Sequence, residues 1–250
     1  MKVRFPAVAG SFYPADPDRL REMVESLLGQ VAAPKVAHPR MLVVPHAGYI
    51  YSGPIAASAY ATVDSGLVER VVVVGPSHFV ALVGIGASGV DAFRTPLGDI
   101  PVVDGPFAGN EQAHAREHSI EVQLPFLQTI LGRFELTPLV VGDASPTEVA
   151  EAIDRYLEDG STLVVISSDL SHYLTYERAV VRDAQTTTAI LHREWDALDG
   201  ESACGRRGIQ GALLVADRRS LAVKLLDLRN SGDTQGDRSR VVGYGAFWIG

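Results

Sequence analysis

The chain reads as a single-domain α/β protein: a mixed, mostly parallel sheet with helices on both faces. Three observations predict this. Short valine-rich apolar runs recur at 41–45, 71–75, 136–141 and 162–166, the composition of strands buried on both sides. Helical patterns fall between them, so strand and helix alternate. The tail reads as a hairpin, Val223 to Leu228 and Val241 to Ile249 around a polar loop from Asn230 to Arg240, which adds antiparallel strands.

Each element has a local cause. Asp16-Pro17 supplies a cap and a first-turn proline, and Leu20, Met23, Val24, Leu27 and Leu28 follow at helical spacing up to Gly29. After Pro39 the first strand runs into the turn His46-Ala47-Gly48. Pro54 reads as the start of a second helix, whose alanines and serines let it lie close to the sheet. Strand 71–75 ends at Gly75-Pro76, and His78 lies one β-α-β crossover beyond His46, which predicts adjacent strands for the two. Residues 82–104 read as extended segments and turns. A third helix is expected from Ser119 to Leu131, with Pro125 as a kink or boundary. Strand 136–141, a helix from Pro146 to Leu157, strand 162–166 and helices over 176–194 and 207–217 complete the series. No composition break divides the chain, so one domain over residues 1–250 is expected.

Bulk properties narrow the function classes. An apolar fraction of 46% fills a core, and a net charge of −8 opposes attraction to nucleic acid or anionic lipid. The apolar runs are too short for a membrane span, and the first residues lack the apolar stretch of a secretory signal. The single cysteine cannot form an internal disulfide, which predicts a reducing, cytoplasmic setting.

The chemistry is expected where apolar runs end. His46, His78 and the Asp169–His172 pair each follow one, so neighbouring strands would bring them together at the carboxyl edge of the sheet. His46 and His78 sit beside proline-bearing turns and are the best metal-ligand candidates, since neutral imidazole suits iron, copper or zinc. Cys204 precedes a helix and the pair Arg206-Arg207, a setting that favours thiolate; the alternative is a small buried apolar residue. Glu117 and Glu121 are four apart with His118 beside the first. They read either as a solvated acidic helix start or as a brace that orients His118 for proton transfer. Asp169, one turn from His172, is positioned to set that ring's tautomer. His38, His114 and His192 read as surface residues. Gly84-Ile-Gly-Ala-Ser-Gly89 matches a dinucleotide-binding pattern, but no helical sequence follows it.

These motifs resemble a known family. Ala9-Gly-Ser-Phe-Tyr-Pro14, Pro45-His-Ala-Gly-Tyr-Ile-Tyr-Ser-Gly-Pro54, Gly75-Pro-Ser-His78, Glu117-His-Ser-Ile-Glu121, Ser167-Ser-Asp-Leu-Ser-His172 and Cys204-Gly-Arg206 are similar to those of the Memo family, whose microbial members are called AmmeMemoRadiSam system protein B. The resemblance implies a fold like the class III extradiol dioxygenases, which hold non-haem Fe(II) with two histidines and a glutamate. It implies that His46 and His78 are metal ligands with Cys204 as the third, that His118 and His172 act on substrate, and that Asp169 supports His172. Thiolate in place of carboxylate shifts such a site toward copper, zinc or a different iron chemistry. The family's name also implies a pathway shared with a radical-SAM protein and an AMMECR-like protein.

Three functions follow as expectations. The first is a metal-dependent, iron- or copper-using oxidoreductase or dioxygenase-like protein with an unknown substrate. The second is a non-catalytic module that binds an anionic or phosphorylated peptide, or a small ligand, in the same cleft. The third is a metal-assisted hydrolase with zinc.

Overall fold

The computed structural model describes residues 1–32, 36–103 and 105–250. In chain order the first six strands are β1 (Val3–Arg4), β2 (Met41–Val44), β3 (Arg70–Pro76), β4 (Ile85–Ala87), β5 (Ala92–Thr95) and β6 (Gly98–Pro101). They are followed by β7 (Glu135–Val141), β8 (Thr162–Ser167), β9 (His172–Leu174), β10 (Val223–Asn230) and β11 (Val241–Ile249). The helices are α1 (Pro17–Gly29), α2 (Tyr49–Tyr60), α3 (Glu111–Ala115), α4 (His118–Glu121), α5 (Leu124–Leu131), α6 (Pro146–Tyr156), α7 (Tyr176–Leu191) and α8 (Arg206–Arg218).

The main sheet runs β10-β11-β2-β8-β3-β7-β4, with β9 joined to β11 at the side. Its centre, β2-β8-β3-β7, is parallel, and the flanking pairs β11–β2, β10–β11 and β4–β7 are antiparallel. Alternation along the central strands feeds two cores. Leu42, Val44, Val71, Val73, Leu163 and Val165 face the layer of α1, α2 and α5, meeting Leu20, Val24, Ile55 and Leu127. Met41, Val43, Val72, Val74, Val164 and Ile166 face α6 and α8, meeting Val149, Ile153, Ile209 and Leu213. Each such side chain stabilises the fold by about 1.5–3 kcal/mol relative to exposure, which is why these strands are continuous rather than alternating in apolar character. A second, small sheet, β1-β5-β6, lies apart from the first. Its β5–β6 turn ends on Gly98 at φ 121°, a backbone angle that favours glycine.

Caps explain several boundaries. Asp16 accepts from the Arg19 N–H ahead of α1, and Ser145 with Glu148 forms a reciprocal capping box on α6. Other boundaries depart from the sequence reading. Helix α2 begins at Tyr49, with Pro54 inside it; Gly48 takes the cap position and Pro54 leaves the Ile50 carbonyl without its helical donor. The expected helix over Ser119–Leu131 is two helices, α4 and α5, separated ahead of Pro125. Strands β4, β5 and β6 account for the extended stretch after residue 82, while Asp104 lies outside the described residues. Strand β9 and helix α3 had no periodic signal because they are only three and five residues long.

The most consequential difference is strand order. β2 and β3 are not neighbours: β8 lies between them, in register with both. The loops that leave β2 and β3 therefore flank the carboxyl end of β8, and residues 167–169 lie beneath the gap between them.

Candidate metal centre

His46, two residues past β2, is buried. Its backbone N–H donates to Asp169 Oδ1 at 2.7 Å, and its ring Nδ1 lies 2.9 Å from Ser167 Oγ. The end of the gap-filling strand β8 and the loop just after it thus supply the two anchors. His78, two residues past β3, is gripped by Glu117: the His78 N–H donates to Oε2 at 2.7 Å and ring Nδ1 meets Oε1 at 2.9 Å. Glu117 also accepts from the Ser119 N–H at 2.9 Å, capping α4. These bonds hold its carboxyl at about 2 against the opposing effect of burial, so it is ionised at neutral pH. An ionised carboxylate accepts only, so His78 donates through Nδ1, and Nε2 is the ring nitrogen that Glu117 leaves to another partner.

His118 opens α4, with Nδ1 3.4 Å from the same Glu117 Oε1. Its ring stacks on His78 at 4.7 Å between centroids and packs against Phe12 at 5.0 Å. Helix α4 reaches this position because Gly75 lacks a side chain: a Cβ there would overlap the Ser119 hydroxyl. The result is a cluster of three imidazoles, His46, His78 and His118, each offering one ring nitrogen within 4.8 Å of the others. Burial is the main reason that His46 and His118 protonate only well below the usual histidine range, His118 at about 4, with neighbouring imidazoles adding to the effect. Neutral rings are the ligand form.

Cys204 closes one side, its Sγ 3.3 Å from His46 Nε2 and 3.7 Å from the Asp169 carbonyl oxygen. Donors on one ion at 2.0–2.3 Å stand about 3–3.6 Å apart, so Cys204 fits an ion shared with His46, but it is not among the side chains whose donor atoms all lie within 4.8 Å of one another, which are His46, His78 and His118. The expectation that Arg206 and Arg207 favour the thiolate is not met in the metal-free protein. Burial and the nearby Asp169 push the thiol up to about 12, and Arg207 is committed to Asp143 and the Ala144 carbonyl. A bound dication would supply the positive charge that the thiolate lacks.

His172 begins β9, half-buried, and burial lowers its pKa, with His78 contributing in the same direction. The expected Asp169–His172 pairing is absent among the described hydrogen bonds. Asp169 instead serves the backbone N–H groups of His46 and Ala47, and its burial pushes its carboxyl up to about 7. The chain turns sharply after His172, where Tyr173 holds φ 59°, so a helical spacing did not apply. A cavity of about 690 Å³ opens beside His172, between α7 and Gly200-Glu201. A smaller one of about 230 Å³ opens beside Cys204 and Gly75.

Comparison with known proteins bears on this arrangement. The family model described as Memo-like protein matches residues 4–248. The chain is similar to MEMO1 family proteins of Aquifex aeolicus (38% identity, 98% of each chain) and Sulfolobus acidocaldarius (36%, 97% of each chain). A MEMO1 family protein of Thermotoga maritima is 35% identical over 96% of this chain and 97% of its own. The chain belongs to the Memo family. The Memo motifs quoted from the sequence are thus neighbours in space: Pro45–Pro54, Gly75–His78, Glu117–Glu121 and Ser167–His172 all border the imidazole cluster.

Two carboxylates and one histidine behave differently from their sequence reading. Neither Glu117 nor Glu121 is a solvated helix start; both are buried. Glu121 forms an ion pair with Arg4 and accepts from Tyr13 OH at 2.5 Å and from the Ala7 and Val8 N–H groups at 2.8 and 3.0 Å. It thereby ties the N-terminal segment, and with it Phe12, over His118. His114 is not at the surface: it is buried, with Nε2 3.1 Å from the Gly86 carbonyl. Gln123 was not singled out, and Ser167 stood only as the first residue of a family motif, with no role of its own. The sequence carried a faint signal for Ser167, a hydroxyl directly after the apolar run Leu163–Ile166.

Proposed function

We propose that this Memo-family chain is a metal-dependent oxidoreductase of the non-haem iron or copper kind. In this reading His46, His78 and Cys204 hold the ion, and His118 and His172 handle protons on the substrate side. The observation that carries it is the convergence of the His46, His78 and His118 rings, with the Cys204 sulfur against His46. Two imidazoles and a thiolate suit copper, iron or zinc, and a redox-active ion supplies one-electron chemistry and oxygen reactivity when bound.

The chain's own residues have definite tasks around it. Glu117 sets the ring orientation of His78, and Asp169 fixes the backbone that carries His46. His118, steadied by Glu117 at Nδ1, presents Nε2 as a base that is unprotonated at neutral pH. His172 lines the larger cavity, where it can take a proton from a substrate hydroxyl. Phe12 and Phe79 flank His118 and limit water on that side. A single domain, a cytoplasmic setting and a pathway shared with radical-SAM and AMMECR-like proteins belong to the same proposal. Among the described residues no helix is long and apolar enough to cross a membrane.

Metal analysis of protein purified anaerobically tests the reading. Wild-type protein should carry iron or copper near one ion per chain, His46→Ala should carry none, and Cys204→Ala should bind more weakly. Equal, negligible metal in all three overturns it. Zinc alone, with turnover of an ester or amide, would favour the hydrolytic alternative.

A further inference from the structure

The hydrogen bonds beneath His46 determine which of its two nitrogens carries the proton. A serine hydroxyl has one proton to give and two lone pairs to offer. Ser167 Oγ lies 2.5 Å from the Ser119 carbonyl oxygen, which only accepts, so the hydroxyl proton points there. Gln123 Nε2 approaches the same hydroxyl at 2.8 Å. The amide cannot be turned the other way, because its Nε2 also faces the Pro45 carbonyl at 3.0 Å while its Oε1 meets Tyr60 OH at 2.7 Å. Gln123 therefore gives an N–H to Ser167 and fills one lone pair. The third partner, His46 Nδ1 at 2.9 Å, finds only the remaining lone pair and must donate.

Water cannot substitute in this chain of bonds. Ser119, Gln123 and Ser167 are each 0% exposed, and His46 and Tyr60 are 1% exposed. A hydroxyl rotated toward His46 would leave the Ser119 carbonyl facing an oxygen at contact distance, a buried polar mismatch.

We propose that Ser167, aimed by Gln123, is a positioning residue that fixes His46 in the Nδ1–H form and so presents a bare Nε2 toward Cys204. Its consequence for ion binding rests on the metal reading above, but the relay itself needs no ion. The two sides of the cluster then reach the same tautomer by different means, a neutral hydroxyl under His46 and an ionised carboxylate under His78. Free histidine in water favours the opposite, Nε2–H form, so the protein has overridden the intrinsic preference at both rings.

The test uses metal-free, full-length protein labelled with ¹⁵N in its histidines. Long-range ¹H–¹⁵N correlation spectra report the protonated nitrogen of each neutral ring. His46 should show Nδ1–H; Nε2–H in the wild-type protein overturns the proposal outright. In Ser167→Ala, His46 should move to Nε2–H or a mixture while His78 stays unchanged, and affinity for Fe²⁺ alone should fall about tenfold or more. An unchanged tautomer in that variant also overturns it. Wild-type protein with the Nδ1–H signature but no Fe²⁺ uptake would uphold the relay and defeat the metal reading, so the two failures are distinct.

Discussion

His46 and His78 offer the same atom to the same point, yet their supports differ in kind. Under His46 lies an uncharged network of Ser167, Gln123 and a backbone carbonyl, wholly enclosed. Under His78 lies the Glu117 carboxylate, and the ring itself is 26% exposed. A neutral hydroxyl orients a ring with little effect on its basicity, whereas an anionic acceptor makes the opposite nitrogen a stronger donor. The buried side thus contributes geometry and the open side contributes electron density. An asymmetric pair of this sort leaves the exposed flank free for exchange of small molecules.

The largest blow to this contrast should come from Glu117→Ala. It strips acceptors from His78 and Ser119 at once and should lower metal affinity about 100-fold and stability by about 2–4 kcal/mol, read by titration calorimetry and denaturant unfolding. If affinity is untouched, the carboxylate is merely a helix cap. Gly75→Ala comes next: its new Cβ meets Ser119, so α4 must shift and both supports suffer, with about 1–3 kcal/mol lost in urea unfolding. Ser167→Ala should be milder in stability and confined to the His46 side.

The contrast also predicts a pH dependence of the metal-free protein. His118 and His114 both protonate at about 4 when folded, chiefly because they are buried, against the ordinary histidine value of 6.5. The unfolded chain therefore binds more protons between these values, so their contribution is complete above about pH 6.5 and is lost as pH falls toward 4. Each adds a slope of up to about 1.4 kcal/mol per pH unit. Glu117 holds on longer: its contribution is complete above its usual 4.5 and is lost only as pH falls toward 2. Stability measured from pH 7 to pH 4 should decline less steeply in His118→Asn than in wild type; identical curves would mean that the ring is not the group titrating.

Much of this was legible in the residues. Valine runs marked the central strands, and His46 and His78 stood at their ends. The order of those strands was not legible, because nothing local to β2 or β3 records that β8 inserts between them. That is also why Ser167 was passed over: its role exists only once β8 is centred. The burial of Glu117 and Glu121 was hidden for a similar reason. A carboxylate reads as solvated until its partners are known, and Arg4, Tyr13 and His78 come from far along the chain. Asp169 was misdirected by helical spacing, since the backbone after it enters a strand rather than a helix. His114 had no apolar pattern to announce its burial, as α3 is barely more than one turn.

The clasp of Glu121 on Arg4, Ala7, Val8 and Tyr13 has a practical corollary. The opening residues are a wall of the imidazole cluster, although none of them belongs to it. A version trimmed to start at Pro14 would retain all four imidazoles and the sulfur, strand an anionic oxygen pair in the interior, and uncover the outer face of His118. Affinity tags and truncations at this end are therefore interventions in the centre itself.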